Sequence, residues 1–154
     1  MASSAAVPVA PDVLLVCTAN ICRSPVAAAL WRESAGGRRR PLAAGSAGLE
    51  AEPGRAADGR VVELMALRGL DLSEHRAERF RIDLALEAEL ILVMEEAHQR
   101  RIHALAPALA GRVHLLGRWT VGEIPDPYRQ EPNIYMECIE LLENSVKSWL
   151  NRLP

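Results

Sequence analysis

Three observations predict an α/β fold, a parallel sheet with helices on both faces. Short apolar, β-branched runs recur at residues 12–17, 88–95 and 111–117, the composition of strands buried on both sides. Stretches with helical spacing lie between them. Finally, Tyr135, Ile139, Leu142, Val146, Trp149 and Leu153 recur at three- and four-residue steps, one apolar stripe on a long closing helix. Strands that alternate with helices need crossover connections, and these build parallel sheets.

Each element follows in order. Residues 1–11 lack a basic region and a long apolar stretch, so they read as a short flexible tail rather than a signal peptide. Residues 12–154 are expected to form one domain, long enough to bury a core. After the first strand, Ser24 is a candidate N-cap and Pro25 suits the first helical position. The helix runs on through "VAAALWRES" and stops at Gly36–Gly37. "PLAAGSAG" (41–48) is a weak strand because of its glycines. "AADGRVVELMALRG" (56–69) reads as a helix ending at Gly69. The strand at 88–95 leads into a polar helical stretch at 96–105, and 111–117 is a further strand.

Composition excludes several classes. The formal net charge of −2 offers no footprint for nucleic acid. The run Arg38–Arg40 reads as solvated surface. No apolar stretch reaches the roughly 20 residues of a membrane span. Three cysteines do not make a disulfide framework, so a cytoplasmic protein is expected, without membrane insertion.

Two of the three cysteines fall in "VCTANICRSP" (16–25), at the end of the first strand and the start of a helix. Ligands of open α/β sheets bind outside the carboxyl ends of the strands. A loop entering a helix N-terminus gathers backbone N–H groups and the positive helix end around one point, an anion site that also favours a thiolate on Cys17. Arg23 adds a planar fork suited to two phosphate oxygens. A thiolate in an anion cradle is the equipment for attack on a phosphate ester. The G-x-x-x-x-G-K-[ST] loop of nucleotide-binding proteins is absent.

The longer string resembles V-C-x-G-N-x-C-R-S-P, the signature of low-molecular-weight protein tyrosine phosphatases. The likeness continues in "SAGL" (46–49), "GLDLSEHRA" (69–77), "LILVME" (90–95) and "IPDPY" (124–128), in order along nearly the whole chain. It implies a three-layer fold with a four-stranded parallel sheet. It also implies a two-step mechanism without metal or cofactor. Cys17 would attack phosphorus, while Arg23 and the loop of Thr18, Ala19, Asn20, Ile21, Cys22 and Ser24 hold the phosphoryl oxygens. Asp126 would protonate the leaving phenolate and then activate water. Asn20 would hold a left-handed turn, Ser24 would hydrogen-bond the thiolate, Ser46 and His75 would form a polar network behind the loop, and Tyr128 would wall the cleft. Cys22 would trap oxidised Cys17 as a disulfide, whereas Cys138 reads as core. Ala19 stands where the signature has glycine, a strained exchange if positive φ is needed there. Ala28 and Ala29 replace an acidic residue common in the family.

Neighbouring activities fit less well. Thioredoxin-coupled arsenate reductases need further cysteines, and residues 60–110 contain none. Protein-arginine phosphatases tend to carry threonine at the place of Ile21 and phenylalanine at that of Tyr128. Phosphocysteine carriers lack the distal acid, and a dead phosphotyrosine-binding module would not need Cys17, Arg23 and Asp126 together. "LLGRW" with "EIPDPYRQ" resembles the bacterial branch, which implies a monomer acting on a phosphotyrosine protein, a tyrosine kinase of polysaccharide export.

Overall fold

The computed structural model describes residues 10–38 and 42–153. Its elements run β1 (Val13–Cys17), α1 (Arg23–Ala35), β2 (Ala44–Gly48), α2 (Gly59–Leu67), α3 (Ile82–Ala85), β3 (Leu90–Val93), α4 (Glu96–Leu105), a 3-10 turn (Pro107–Arg112), β4 (Val113–Leu115) and α5 (Pro132–Leu150). The strands form one parallel four-stranded sheet in the order β2-β1-β3-β4. The expected α/β architecture is therefore present.

Alternation along β1 divides the core. Val13, Leu15 and Cys17 face Val26 and Trp31 of α1 and Ile139, Leu142 and Val146 of α5. Leu14 and Val16 face the other way, with Ala85 of α3, Ile102 of α4 and Leu109. A strand buried on both faces has no polar side to alternate with, hence its continuous apolar run. Tyr135, Ile139, Leu142, Val146 and Trp149 are all buried on α5, each such side chain contributing about 1.5–3 kcal/mol. Leu153 lies beyond the last helical residue, packed partly against the same core.

Several boundaries differ from expectation. α1 begins at Arg23 with Cys22 as N-cap and no capping side chain, so Ser24 is not the cap and Pro25 is the third helical residue. Proline is tolerated there because the first intrahelical donor is the Val26 N–H, bonded to the Cys22 carbonyl at 3.3 Å. α2 is shorter than residues 56–69, because Asp58 caps it by accepting the Arg60 N–H. Short α3 and the 3-10 turn carry too few residues for periodicity to reveal them. The weak candidate at 41–48 does form β2, and its Gly48 is required. A Cβ there would lie 2.7 Å from the Thr18 carbonyl oxygen and 2.9 Å from the Asn20 nitrogen. Arg38, expected to be solvated, donates to the Leu153 carbonyl at 2.6 Å and is partly buried. Residues 39–40 and the greater part of the expected tail lie outside the described residues.

The sheet order places the site. The chain leaves β1 for β2 on one side and reaches β3 on the other, so the crevice opens at the carboxyl ends of β1 and β3.

Candidate active site

Cys17 ends β1 with 2% of its surface exposed, and its Sγ lies 2.9 Å from Ser24 Oγ. Between them the chain turns at Asn20, whose φ of 59° is left-handed; Ala19 does not adopt positive φ, so alanine there carries no such strain. Asn20 is fully buried and fully bonded. Its Nδ2 donates to Ser24 Oγ at 2.8 Å and to Ser46 Oγ at 3.0 Å, and its Oδ1 accepts the Glu78 N–H at 2.9 Å. His75 Nε2–H donates to the Asn20 carbonyl at 2.7 Å. The structure thus brings Asn20, Ser24, Ser46 and His75 together behind the loop and turns Ser24 toward the sulfur.

Arg23 is 2% exposed despite its charge. Its Nη1 donates to Glu95 Oε2 at 2.5 Å and to the Ile124 carbonyl at 2.8 Å, while Nη2 lies 3.9 Å from Asp126 Oδ2. Both Nη1 hydrogens are committed, which leaves the Nε–Nη2 edge as the fork for an oxyanion. Asp126 projects from the loop after Ile124 with its side chain 49% exposed, and its Oδ1 accepts the Tyr128 N–H at 3.0 Å. Tyr128 is exposed at the rim, where its hydroxyl accepts a hydrogen bond from Arg55 Nη2 at 2.9 Å.

A cavity of about 210 Å³ joins these groups, lined by Cys17, Thr18, Ile21, Arg23, Asp126 and Tyr128 among others. A larger recess of about 680 Å³ runs beside β2 but contains none of Cys17, Arg23 and Asp126. The smaller cavity is the chemically equipped one. Cys22 lines it as well, with its Sγ 3.7 Å from Asp58 Oδ2; burial first, then the Asp58 carboxylate, push its thiol well above the usual range. Cys138 is buried in α5, which pushes its thiol up to about 12, consistent with a core role.

Sequence reasoning passed over four residues here. Glu95, the carboxylate on Arg23, follows β3, and an acid at that strand end was the available signal. Asp58 supports the floor of the site by accepting from Tyr135 Oη at 2.9 Å, and burial pushes the Tyr135 phenol up to about 12. His98 reaches the loop from α4, with its Nε2 2.9 Å from Thr18 Oγ1. Arg55 joins the rim from the segment after β2. The local contacts of Asp58 and His98 are helix caps, and the contacts by which the last three reach the site span more than 70 residues, so no short motif reveals them.

Comparison with known proteins agrees with this geometry. Residues 12–154 match the family described as low molecular weight phosphotyrosine protein phosphatase. The chain is 41% identical over 141 residues to the probable low molecular weight protein-tyrosine-phosphatase EpsP of Ralstonia nicotianae, covering 92% of this chain and 94% of that protein. The crystal structure of the tyrosine phosphatase Wzb from Escherichia coli in complex with sulphate superposes with a TM-score of 0.86 at 36% identity, over 92% of this chain and 97% of the other. The YwlE arginine phosphatase from Geobacillus stearothermophilus shares the fold at a TM-score of 0.83 but only 26% identity, over 91% and 90% of the two chains.

Proposed function

Because the chain belongs to the low molecular weight phosphotyrosine protein phosphatase family, we propose that it hydrolyses phosphotyrosine in proteins through a cysteinyl-phosphate on Cys17. The observation that carries the mechanism is the convergence of Cys17, Arg23 and Asp126 on one cavity. In the first step the Cys17 thiolate attacks phosphorus and an S–P bond forms as the P–O bond to the tyrosine breaks. Asp126 gives its proton to the departing phenolate. The Arg23 fork and the loop N–H groups balance the charge on the phosphoryl oxygens, donors fixed before the reaction starts. In the second step the Asp126 carboxylate takes a proton from water, water oxygen bonds to phosphorus, and the S–P bond breaks to return the thiolate. Ser24, 2.9 Å from the sulfur, supports that departure with a hydrogen bond.

Specificity for an aryl phosphate follows from the walls. Ile21 and Tyr128 line the cavity with an apolar side chain and an aromatic face, and Ile21 offers no polar group to a phosphorylated guanidinium. The proposed protein substrate is a bacterial tyrosine kinase of capsule or exopolysaccharide export, met in the cytoplasm. Among the described residues no helix is long and apolar enough to cross a membrane.

The test uses purified protein with p-nitrophenyl phosphate, a phosphotyrosine peptide and a phosphoarginine peptide. Turnover should vanish in Cys17→Ser, and kcat/KM should favour phosphotyrosine over phosphoarginine. Persisting turnover in Cys17→Ser refutes the nucleophile, and a reversed preference transfers the assignment to arginine phosphatases. Release of phosphate from the phosphorylated kinase domain tests the partner.

A further inference from the structure

His98 lies in the first turn of α4, 6% exposed, with both ring nitrogens bonded. Its Nδ1 accepts the Glu95 backbone N–H at 3.1 Å, and its Nε2 sits 2.9 Å from Thr18 Oγ1. A ring nitrogen that accepts carries no proton, so the proton of the neutral ring is on Nε2 and is donated to the Thr18 hydroxyl. Thr18 is the residue after Cys17 and lines the cavity. Glu95 is the residue whose carboxylate holds Arg23. One imidazole therefore touches both halves of the anion site, from the side of β3.

We propose that His98 is a positioning residue: as its Nε2–H tautomer it ties Thr18 of the loop to Glu95, and so holds the loop and the Arg23 clamp in one register. Groups whose own bonds are fixed this way keep reacting atoms within the small tolerances that catalysis needs. The charges facing the ring are Arg23 from α1, Glu95 at the head of α4, and Glu123 and Asp126 from the segment after β4. Burial, then the Arg23 guanidinium, hold the ring's pKa below the ordinary histidine value, against the weaker opposing pull of the three carboxylates. The ring is thus neutral at pH 7. Protonation, reached only in more acid solution, would set a second N–H on Nδ1 against the Glu95 N–H, donor to donor, and open the tie.

The kinetic consequence rests on the phosphatase reading, whereas the tautomer does not. Imidazole ¹⁵N–¹H spectra of the wild type at pH 7 should show His98 as the neutral Nε2–H form, with a resonance that shifts in Thr18→Val. Three variants then separate the two ring contacts. In His98→Asn the side-chain oxygen replaces Nδ1 but nothing reaches Thr18; in His98→Gln the amide nitrogen reaches the Nε2 position. Thr18→Val and His98→Asn should each weaken competitive inhibition by inorganic phosphate, and lower kcat/KM for p-nitrophenyl phosphate, by about 3- to 10-fold, the scale of one neutral hydrogen bond. His98→Gln, which restores the Thr18 end but leaves the Glu95 N–H unpaired, should fall between wild type and His98→Asn, and the double variant Thr18→Val/His98→Asn should be no worse than its weaker parent. An Nδ1–H or cationic ring at pH 7 overturns the proposal. So do additive losses, or His98→Gln losses that equal those of His98→Asn and track thermal stability. Should the His98 variants fail to fold, Thr18→Val decides alone, since unchanged phosphate inhibition there is incompatible with the tie. A wild type without turnover refutes the phosphatase reading, and the spectra still judge the tautomer and its contact.

Discussion

The floor of the cavity and its rim are built differently. On the floor, Asn20 has its side chain and its carbonyl engaged by Ser24, Ser46, Glu78 and His75, and none of its surface meets solvent. Arg23 is equally enclosed, clamped by Glu95 and the Ile124 carbonyl. At the rim, Asp126 is half exposed, accepts the Tyr128 N–H and lies 3.9 Å from Arg23 Nη2, and the Tyr128 hydroxyl accepts from the exposed Arg55. Under the proposed mechanism the two regions have different tasks. Charge stabilisation needs donors fixed before the substrate arrives, and a buried network that is fully bonded supplies them. A group that gives a proton to a leaving group and takes one from water must reach both, which forbids burying it.

The contrast implies that rim substitutions change rate without stability, whereas floor substitutions change both. The largest effect is expected for Asp126→Asn. Loss of a general acid typically costs about 10²–10⁴ in rate, so kcat on phosphotyrosine should fall by that order, and less on an aryl phosphate with an acidic phenol. Its thermal midpoint should match wild type. Equal losses on both substrates, or a lowered midpoint, would erase the distinction between rim and floor.

Asn20→Ala is the matching test of the floor. It removes the partners of Ser24, Ser46 and the Glu78 N–H, and it asks alanine to adopt φ near 59°. Orphaned buried groups cost about 1–3 kcal/mol each before relaxation, and the left-handed backbone adds about 1–2 kcal/mol. A net loss of about 2–4 kcal/mol is expected in thermal or urea unfolding, with kcat/KM falling at the same time. Retained stability with reduced activity would make Asn20 a rim-like residue.

Cys22 sits where floor and rim meet, and its effect on unstressed activity should be the smallest. Peroxide converts the Cys17 thiolate to a sulfenic acid; condensation with the Cys22 thiol would then form the disulfide and release water. Burial and Asp58 keep Cys22 protonated, so the resolving step should be slow at neutral pH and quicken as pH rises. Dithiothreitol should restore peroxide-treated wild type, and should restore Cys22→Ser much less. Equal recovery, with no Cys17–Cys22 linkage by mass spectrometry, would leave Cys22 as packing.

Much of this was legible in the chain itself. The strand ending at Cys17, the loop closing at Arg23 and the long stripe of α5 each depend on neighbours a few residues away, where spacing records geometry directly. The start of α1 was misread at Ser24, because a serine before a helix satisfies the capping pattern whether its hydroxyl turns to the backbone or to a sulfur. β2 was faint for a physical reason: Gly48 is needed so that the loop can lie against the strand, and that need is a contact with residues 18–20.

Sequence alone determined the alternation of strands and helices, the loop from Cys17 to Arg23, and the family to which its motifs point, since all three are written in short-range order. Only the tertiary structure decided which carboxylate holds Arg23, which histidine reaches Thr18, and how Asp126 comes within 3.9 Å of a guanidinium more than 100 residues earlier. Those pairings arise where the carboxyl ends of β1 and β3 lie side by side, an adjacency set by hydrogen bonding across the sheet and by burial on both its faces.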